Sequence, residues 1–188
     1  MAQDGRVKLV VIGGSAGSLE VLLQVLPFLR PGLAYALVIV VHRKSAESML
    51  AELLAGRTRL PVKEAEDKEP LLSGTVYLAP ADYHTLLESN GSLSLDCSEK
   101  VNWSRPSIDV TFETAADVYG ETLVGLLLSG ANHDGVVGLG RIAANGGQVW
   151  VQDPATAQVA YMPQGALNEL QADRVLRPEE MADALNAL

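Results

Sequence analysis

The chain of 188 residues contains a single cysteine, Cys97. A lone thiol excludes a disulfide within the chain and fits a reducing compartment. No apolar run approaches the roughly 20 residues of a membrane span, so no membrane insertion is expected. The first residues, Met1 to Arg6, lack the apolar centre of a secretory signal, and a cytoplasmic location is the expectation. Positive charge is scarce. Lysine and arginine number 14 against 23 aspartates and glutamates, a formal net charge of −9. That balance disfavours a phosphate-backbone partner, so no nucleic acid is expected. Internal repeats, low-complexity stretches and linkers are all missing, which leaves one compact domain over residues 1–188 as the expectation. With 48% hydrophobic residues, the chain can fill a core of that size.

What is present alternates. Val7–Ile12, Leu33–Val41 and Leu123–Leu128 are continuous apolar runs rich in β-branched residues, the pattern of buried parallel strands. Val62–Glu66, Thr75–Ala79 and Gln148–Gln152 predict shorter strands. Leu19–Leu29 carries Leu19, Leu22, Leu23 and Leu26 on one stripe, a helix that Pro31-Gly32 ends. Further helices are expected over Ala46–Ala55 with Ser45 as cap, Ser107 to Tyr119 with Gly120 as stop, Val136–Ala144, Pro163 to about Leu170, and Pro178–Leu188. Ser89-Asn90-Gly91 between His84–Glu88 and Ser92–Asp96 predicts a hairpin. The order predicts an α/β fold: a doubly wound, mainly parallel sheet with helices on both faces and an inserted β-hairpin.

Sites in such folds gather beyond the carboxyl ends of strands. Ser15 follows the first strand within Gly13-Gly14-Ser15-Ala16-Gly17, His42 follows the second, and Asp134 follows the Leu123–Leu128 strand. A hydroxyl on a sharp strand-to-helix turn needs a base to take its proton and an acid to orient that base. Each residue also has a plain structural role: a tight turn, a strand-end histidine, a capping aspartate. His84 reads as structural and His133 as a rim residue. The chain order Ser15, His42, Asp134 departs from that of the α/β-hydrolases, where the acid precedes the histidine. A dinucleotide-binding reading competes, but Ser15 and Ser18 stand where the second and third glycines of its fingerprint belong. His42-Arg43 stands where that fold wants a ribose-binding acid, although an arginine there could hold a 2′-phosphate.

Several separated segments, in order, resemble the catalytic domain of the chemotaxis protein-glutamate methylesterase (CheB) family. They include Val10–Glu20, Val40-Val41-His42, Val62–Asp67, Gly74–Pro80, Asp82, His84, Arg105–Asp109, Ser129-Gly130 with Asp134-Gly135, and Met162-Pro163. The resemblance implies a serine hydrolase that removes methyl esters from glutamyl side chains of chemoreceptor cytoplasmic helices. It implies a possible second activity on glutamine amides, and neither cofactor nor metal. It assigns the triad to Ser15, His42 and Asp134 and an oxyanion-binding N–H to Ala131, with Ala16 supplying another. Arg105 is expected to line the cleft, with Asn102 and Trp103 as a lip and Met162-Pro163 as a further wall. The family's Gly-Met-Gly segment is here Gly130-Ala131-Asn132. The receiver domain typical of the family has no counterpart in this sequence. A non-catalytic module that keeps the fold is the alternative.

Overall fold

The computed structural model describes residues 6–43 and 49–188. Within them, seven parallel strands form one sheet and a two-stranded antiparallel hairpin lies apart from it. In chain order the elements are β1 (Leu9–Gly14), α1 (Ser18–Val25), β2 (Ala36–Val41), α2 (Leu50–Ala55), β3 (Val62–Glu64), β4 (Val76–Leu78), the hairpin β5 (His84–Leu87) and β6 (Leu93–Asp96), and α3 (Ile108–Tyr119). Then come β7 (Leu123–Leu127), α4 (Val136–Ala144), β8 (Gln148–Gln152), α5 (Tyr161–Glu169), β9 (Arg174–Leu176) and α6 (Pro178–Asn186).

The sheet order is β3-β4-β2-β1-β7-β8-β9. The chain passes from β1 to β2, then to the edge strand β3 and back to β4 between β3 and β2, before it lays β7 against the other side of β1. The order therefore reverses between β1 and β7, the crevice where ligands collect in doubly wound sheets. Side chains alternate across each strand. Val10 and Ile12 face a core shared with α1, α2 and α6, while Leu9 and Val11 face one shared with α3, α4, α5 and the hairpin. Both faces are covered, which is why the strands read as unbroken apolar runs.

Several boundaries differ from expectation for local reasons. Pro27 lacks the N–H that would continue α1, and the chain tightens there into a 3₁₀ turn over Leu26–Phe28. α5 begins at Tyr161, two residues before Pro163. Proline is tolerated there because N–H groups of the first turn have no intrahelical acceptor. Strand β9 carries no signal in the sequence, since three residues that include an arginine show no periodicity. Ser45 and the first residues of the expected Ala46–Ala55 helix lie outside the described residues.

Candidate active site

Strands β2, β1 and β7 are neighbours, and their carboxyl ends carry His42, Ser15 and the loop to Asp134. Gly14 pairs with Val41, and the His42 N–H donates to the Gly14 carbonyl at 3.1 Å. Ser15 and His42 are thus the first residues beyond a paired register. On the other side, the Ser15 N–H donates to the Ser129 carbonyl at 2.9 Å. The turn after Ser15 requires glycine at position 17. Its φ is +83°, and a Cβ there would lie 2.7 Å from the Ser129 hydroxyl. Gly130 is equally constrained, since a Cβ would come within 3.0 Å of the Ser15 Cβ and 2.5 Å of the Met162 Cε. Met162 is fully buried behind that glycine, so it supports the serine from the core rather than forming an open wall.

His42 Nε2 lies 2.7 Å from Asp134 Oδ2. An ionised carboxylate only accepts, so Nε2 carries the hydrogen and Nδ1 the lone pair. That lone pair faces Asn132, whose Nδ2 is 3.3 Å away. Ser15 Oγ makes no hydrogen bond among the described residues. The structure therefore brings the three side chains to one rim with the acid–base contact made and the serine–base contact unmade.

Asp134 is fully buried and its two oxygens are crowded with donors. Oδ1 accepts from Asn102 Nδ2 (2.9 Å), Ser107 Oγ (2.8 Å) and the Asp109 N–H (3.0 Å). Oδ2 accepts from His42 and from the Ile108 N–H at 2.6 Å. The carboxylate sits on the N-terminus of α3 and takes two of its unsatisfied N–H groups. Ser107 occupies the cap position that the sequence predicts, but its hydroxyl caps nothing; it donates to Asp134. Burial alone would raise the Asp134 carboxyl. The hydrogen bonds from His42, Asn102 and the 109 and 108 N–H groups outweigh burial and hold it at about 2.

A second buried carboxylate completes the arrangement. Asp109, in the first turn of α3, accepts from the Gly135 N–H (2.9 Å) and the Gly138 N–H (2.7 Å) at the start of α4. Its other oxygen takes the same Asn102 amide nitrogen at 2.7 Å. Asp134 thus accepts N–H groups at the start of α3, which carries Asp109, and Asp109 accepts those at the start of α4, which follows Asp134; Asn102 ties the two together. Burial raises the Asp109 carboxyl to about 6, aided by the nearby Asp134 charge and opposed by the Gly138 and Asn102 hydrogen bonds. Asn102 and Trp103 form a tight turn with φ of +51° and +64°, bridged by Val101 and Ser104. Trp103, at the tip of this turn, lines the cleft and is 97% exposed.

The remaining predicted residues are accounted for. Neither the Ala16 N–H nor the Ala131 N–H donates to a protein acceptor among the described residues. Arg105 lines the cleft, its Nη1 anchored to the carbonyls of Cys97 (2.9 Å) and Ser98 (2.6 Å). His84 is buried, with Nε2 at 2.9 Å from the Glu99 carbonyl and Nδ1 accepting the Ser107 N–H, a structural role as expected. His133 is half exposed and pairs with Glu169 at 2.9 Å on the rim. Among the described residues, no group of three or more histidine, cysteine or acidic side chains could hold a metal ion. No helix among them is long and apolar enough to cross a membrane.

A doubly wound sheet carrying a serine, a histidine and an aspartate beyond three adjacent strands has the groups of a serine hydrolase. The family model for CheB methylesterase matches residues 10–185, and the chain belongs to that family. The crystal structure of the Thermotoga maritima CheB methylesterase catalytic domain superposes with a TM-score of 0.93 at 35% identity, covering 96% of this chain and 98% of that one. A Leptospira interrogans protein, whose name provisionally gives it protein-glutamate methylesterase and protein-glutamine glutaminase activities, is 43% identical over 93% of this chain and 91% of its own length. The Symbiobacterium thermophilum protein-glutamate methylesterase/protein-glutamine glutaminase is 34% identical over 95% of this chain and 49% of its own length.

Proposed function

We propose that this chain is a protein-glutamate methylesterase, and a protein-glutamine glutaminase by the same chemistry, with Ser15 as nucleophile, His42 as base and Asp134 as orienting acid. The observation that carries the reading is the His42–Asp134 contact at 2.7 Å beside a serine whose hydroxyl makes no bond of its own among the described residues. Ser15 Oγ attacks the γ-carbonyl carbon of a glutamyl methyl ester and its proton passes to His42 Nδ1. The charge that develops on the carbonyl oxygen meets the free N–H groups of Ala16 and Ala131. Each such donor lowers the barrier by about 3–4 kcal/mol. As the intermediate collapses, the C–O bond to methanol breaks and His42 returns the proton to the leaving oxygen. Water then attacks the acyl-serine by the same route and releases a glutamate carboxylate and free Ser15. With a glutamine substrate, ammonia leaves in place of methanol.

Asp134 keeps its negative charge throughout and stabilises the imidazolium. Its position at a helix N-terminus fixes the carboxylate without help from substrate. The substrate is a glutamyl segment of a chemoreceptor cytoplasmic helix, and the protein acts in the cytoplasm. The test is methanol release from a methylated receptor cytoplasmic fragment by the wild type and by Ser15→Ala. Release by the wild type and loss of release in the variant are expected. Equal release by both chains removes Ser15 from the chemistry.

A further inference from the structure

Asp109 is a buried carboxylate that the mechanism above does not use. Its Oδ1 accepts from the Gly135 and Gly138 N–H groups, and its Oδ2 from Asn102 Nδ2. Helices α3 and α4 approach closely here: a Cβ on Gly138 would lie 3.1 Å from the Asp109 Cα and 2.5 Å from the Phe112 Cβ. All three donors are neutral. The charges of Asp134 and Glu113 act on Asp109, and both share its sign. At neutral pH the carboxyl, raised by burial to about 6, is ionised.

A helix N-terminus needs only an acceptor, and a neutral asparagine or serine supplies one. The cap on α4 therefore explains the Asp109 oxygen and leaves its charge unexplained. A carboxylate buried beside another, and bonded only to neutral donors, lowers stability. A charge held against stability points to function. Its effect is visible at Asn102, where one amide nitrogen donates to Asp109 Oδ2 at 2.7 Å and to Asp134 Oδ1 at 2.9 Å. An ionised carboxylate only accepts, so acceptors on both sides leave the amide one orientation, nitrogen inward. Turned over, its oxygen would face two carboxylates. A neutral asparagine or serine at position 109 would donate as well as accept and leave the amide free to turn. The fixed nitrogen keeps a donor on Asp134 Oδ1, while Oδ2 stays aimed at His42 Nε2, 2.7 Å away.

We propose that Asp109 is a positioning residue of the triad: its negative charge orients the Asn102 amide, which holds Asp134 in the attitude His42 needs. The inference rests on the esterase reading above and extends its machinery beyond the three side chains. Asp109 acts through Asp134 rather than on substrate, so its effect lies in kcat and leaves KM alone.

The test measures methanol release from a methylated receptor cytoplasmic fragment by the wild type, Asp109→Asn, Asn102→Gly and the double variant. Asparagine at position 109 keeps an oxygen for the Gly135 and Gly138 N–H groups and removes the charge. Glycine at position 102 suits a turn whose φ is +51° and removes the shared amide. Each single variant is expected to lose about tenfold in kcat at unchanged KM, the weight of one hydrogen bond to a charged group. The double variant is expected to lose about tenfold as well, since both changes cut one link. A brace with a structural role only would lower the urea midpoint and leave kcat of the folded chain unchanged, and that result overturns the proposal. A loss of about a hundredfold in the double variant also overturns it, because the two residues would then act separately. Should Asp109→Asn unfold, Asn102→Gly decides: with the amide gone the charge has nothing to orient, so unchanged kcat overturns the proposal and the expected loss supports it. If the wild type releases no methanol, the rate of fluorophosphonate labelling at Ser15 replaces kcat in the same comparison. Labelling slowed about tenfold in Asp109→Asn then removes the ester substrate and keeps the positioning role, whereas equal rates overturn that role.

Discussion

Asp134 and Ser15 stand at the two ends of the proposed triad and are held in opposite ways. Asp134 is buried beneath five donors, two of them from the backbone of α3. Ser15 is held by its backbone alone, through its N–H on Ser129 and its carbonyl on Ser18, and its hydroxyl makes no bond among the described residues. The acid end is built into the fold; the nucleophile end is completed by whatever enters. Charge that must persist through every step is fixed in advance, which avoids reorganisation during reaction. The group that must form and break a covalent bond stays free.

The contrast can be broken hardest at Asp134. Asp134→Asn puts an amide donor among groups that are all donors. A loss of kcat on the order of 10⁴-fold is expected, with a stability loss of about 3–5 kcal/mol. Steady-state kinetics with urea unfolding measures both. Asn102→Ala removes the amide shared by both aspartates. Stability is expected to fall by about 2 kcal/mol and kcat by roughly tenfold, because the acid remains in place but less firmly held. If Asn102→Ala lowers stability without touching kcat, the lip is a structural clasp only.

Asp109 gives a pH test. A carboxyl raised to about 6 when folded, from an ordinary value of 3.8, binds protons more tightly in the native state. Its contribution is fully present below pH ~4 and is lost as pH rises through about 6, roughly 2 kcal/mol in all. Asp134 has the opposite sign: held at about 2, it stabilises above pH ~4 and loses that as pH falls through about 2. Unfolding free energy measured at pH 4.5 and pH 7 should show a decline that Asp109→Asn flattens. An unchanged slope contradicts the assignment. The smallest effect sharpens the open end. Asn132 faces the His42 lone pair that Ser15 needs, at 3.3 Å. Asn132→Gly is expected to raise kcat by about fivefold, the size of one neutral hydrogen bond. A fall in kcat would show that Asn132 aligns the ring rather than competing for it.

Much of this was readable from the chain. Three long apolar runs mark the central strands; Ser15 and His42 stand out just beyond the first two, while Asp134 sits further along the loop after the third, behind Ser129, Asn132 and His133. The remaining structure of the site was hidden for physical reasons. Asn102 works by tertiary contact, from a left-handed turn onto two helix N-termini, and no periodicity marks it. Ser107 was legible as a cap position, but whether its hydroxyl turns to its own helix or to Asp134 depends on a residue 27 positions away. Arg43 follows a strand end and reads from the sequence as a possible ligand for a 2′-phosphate; its burial and its bonds to Glu64 and Ala79 depend on tertiary packing that no local pattern marks.

The central claim is that His42, held by Asp134, makes Ser15 the reactive hydroxyl of this fold. Labelling with a fluorophosphonate, located by mass spectrometry of the digested chain, tests it most directly. The wild type should carry the label on Ser15 alone, with labelling reduced at least a hundredfold in His42→Ala. Label on another residue, or equal labelling of Ser15 without the imidazole, would contradict it.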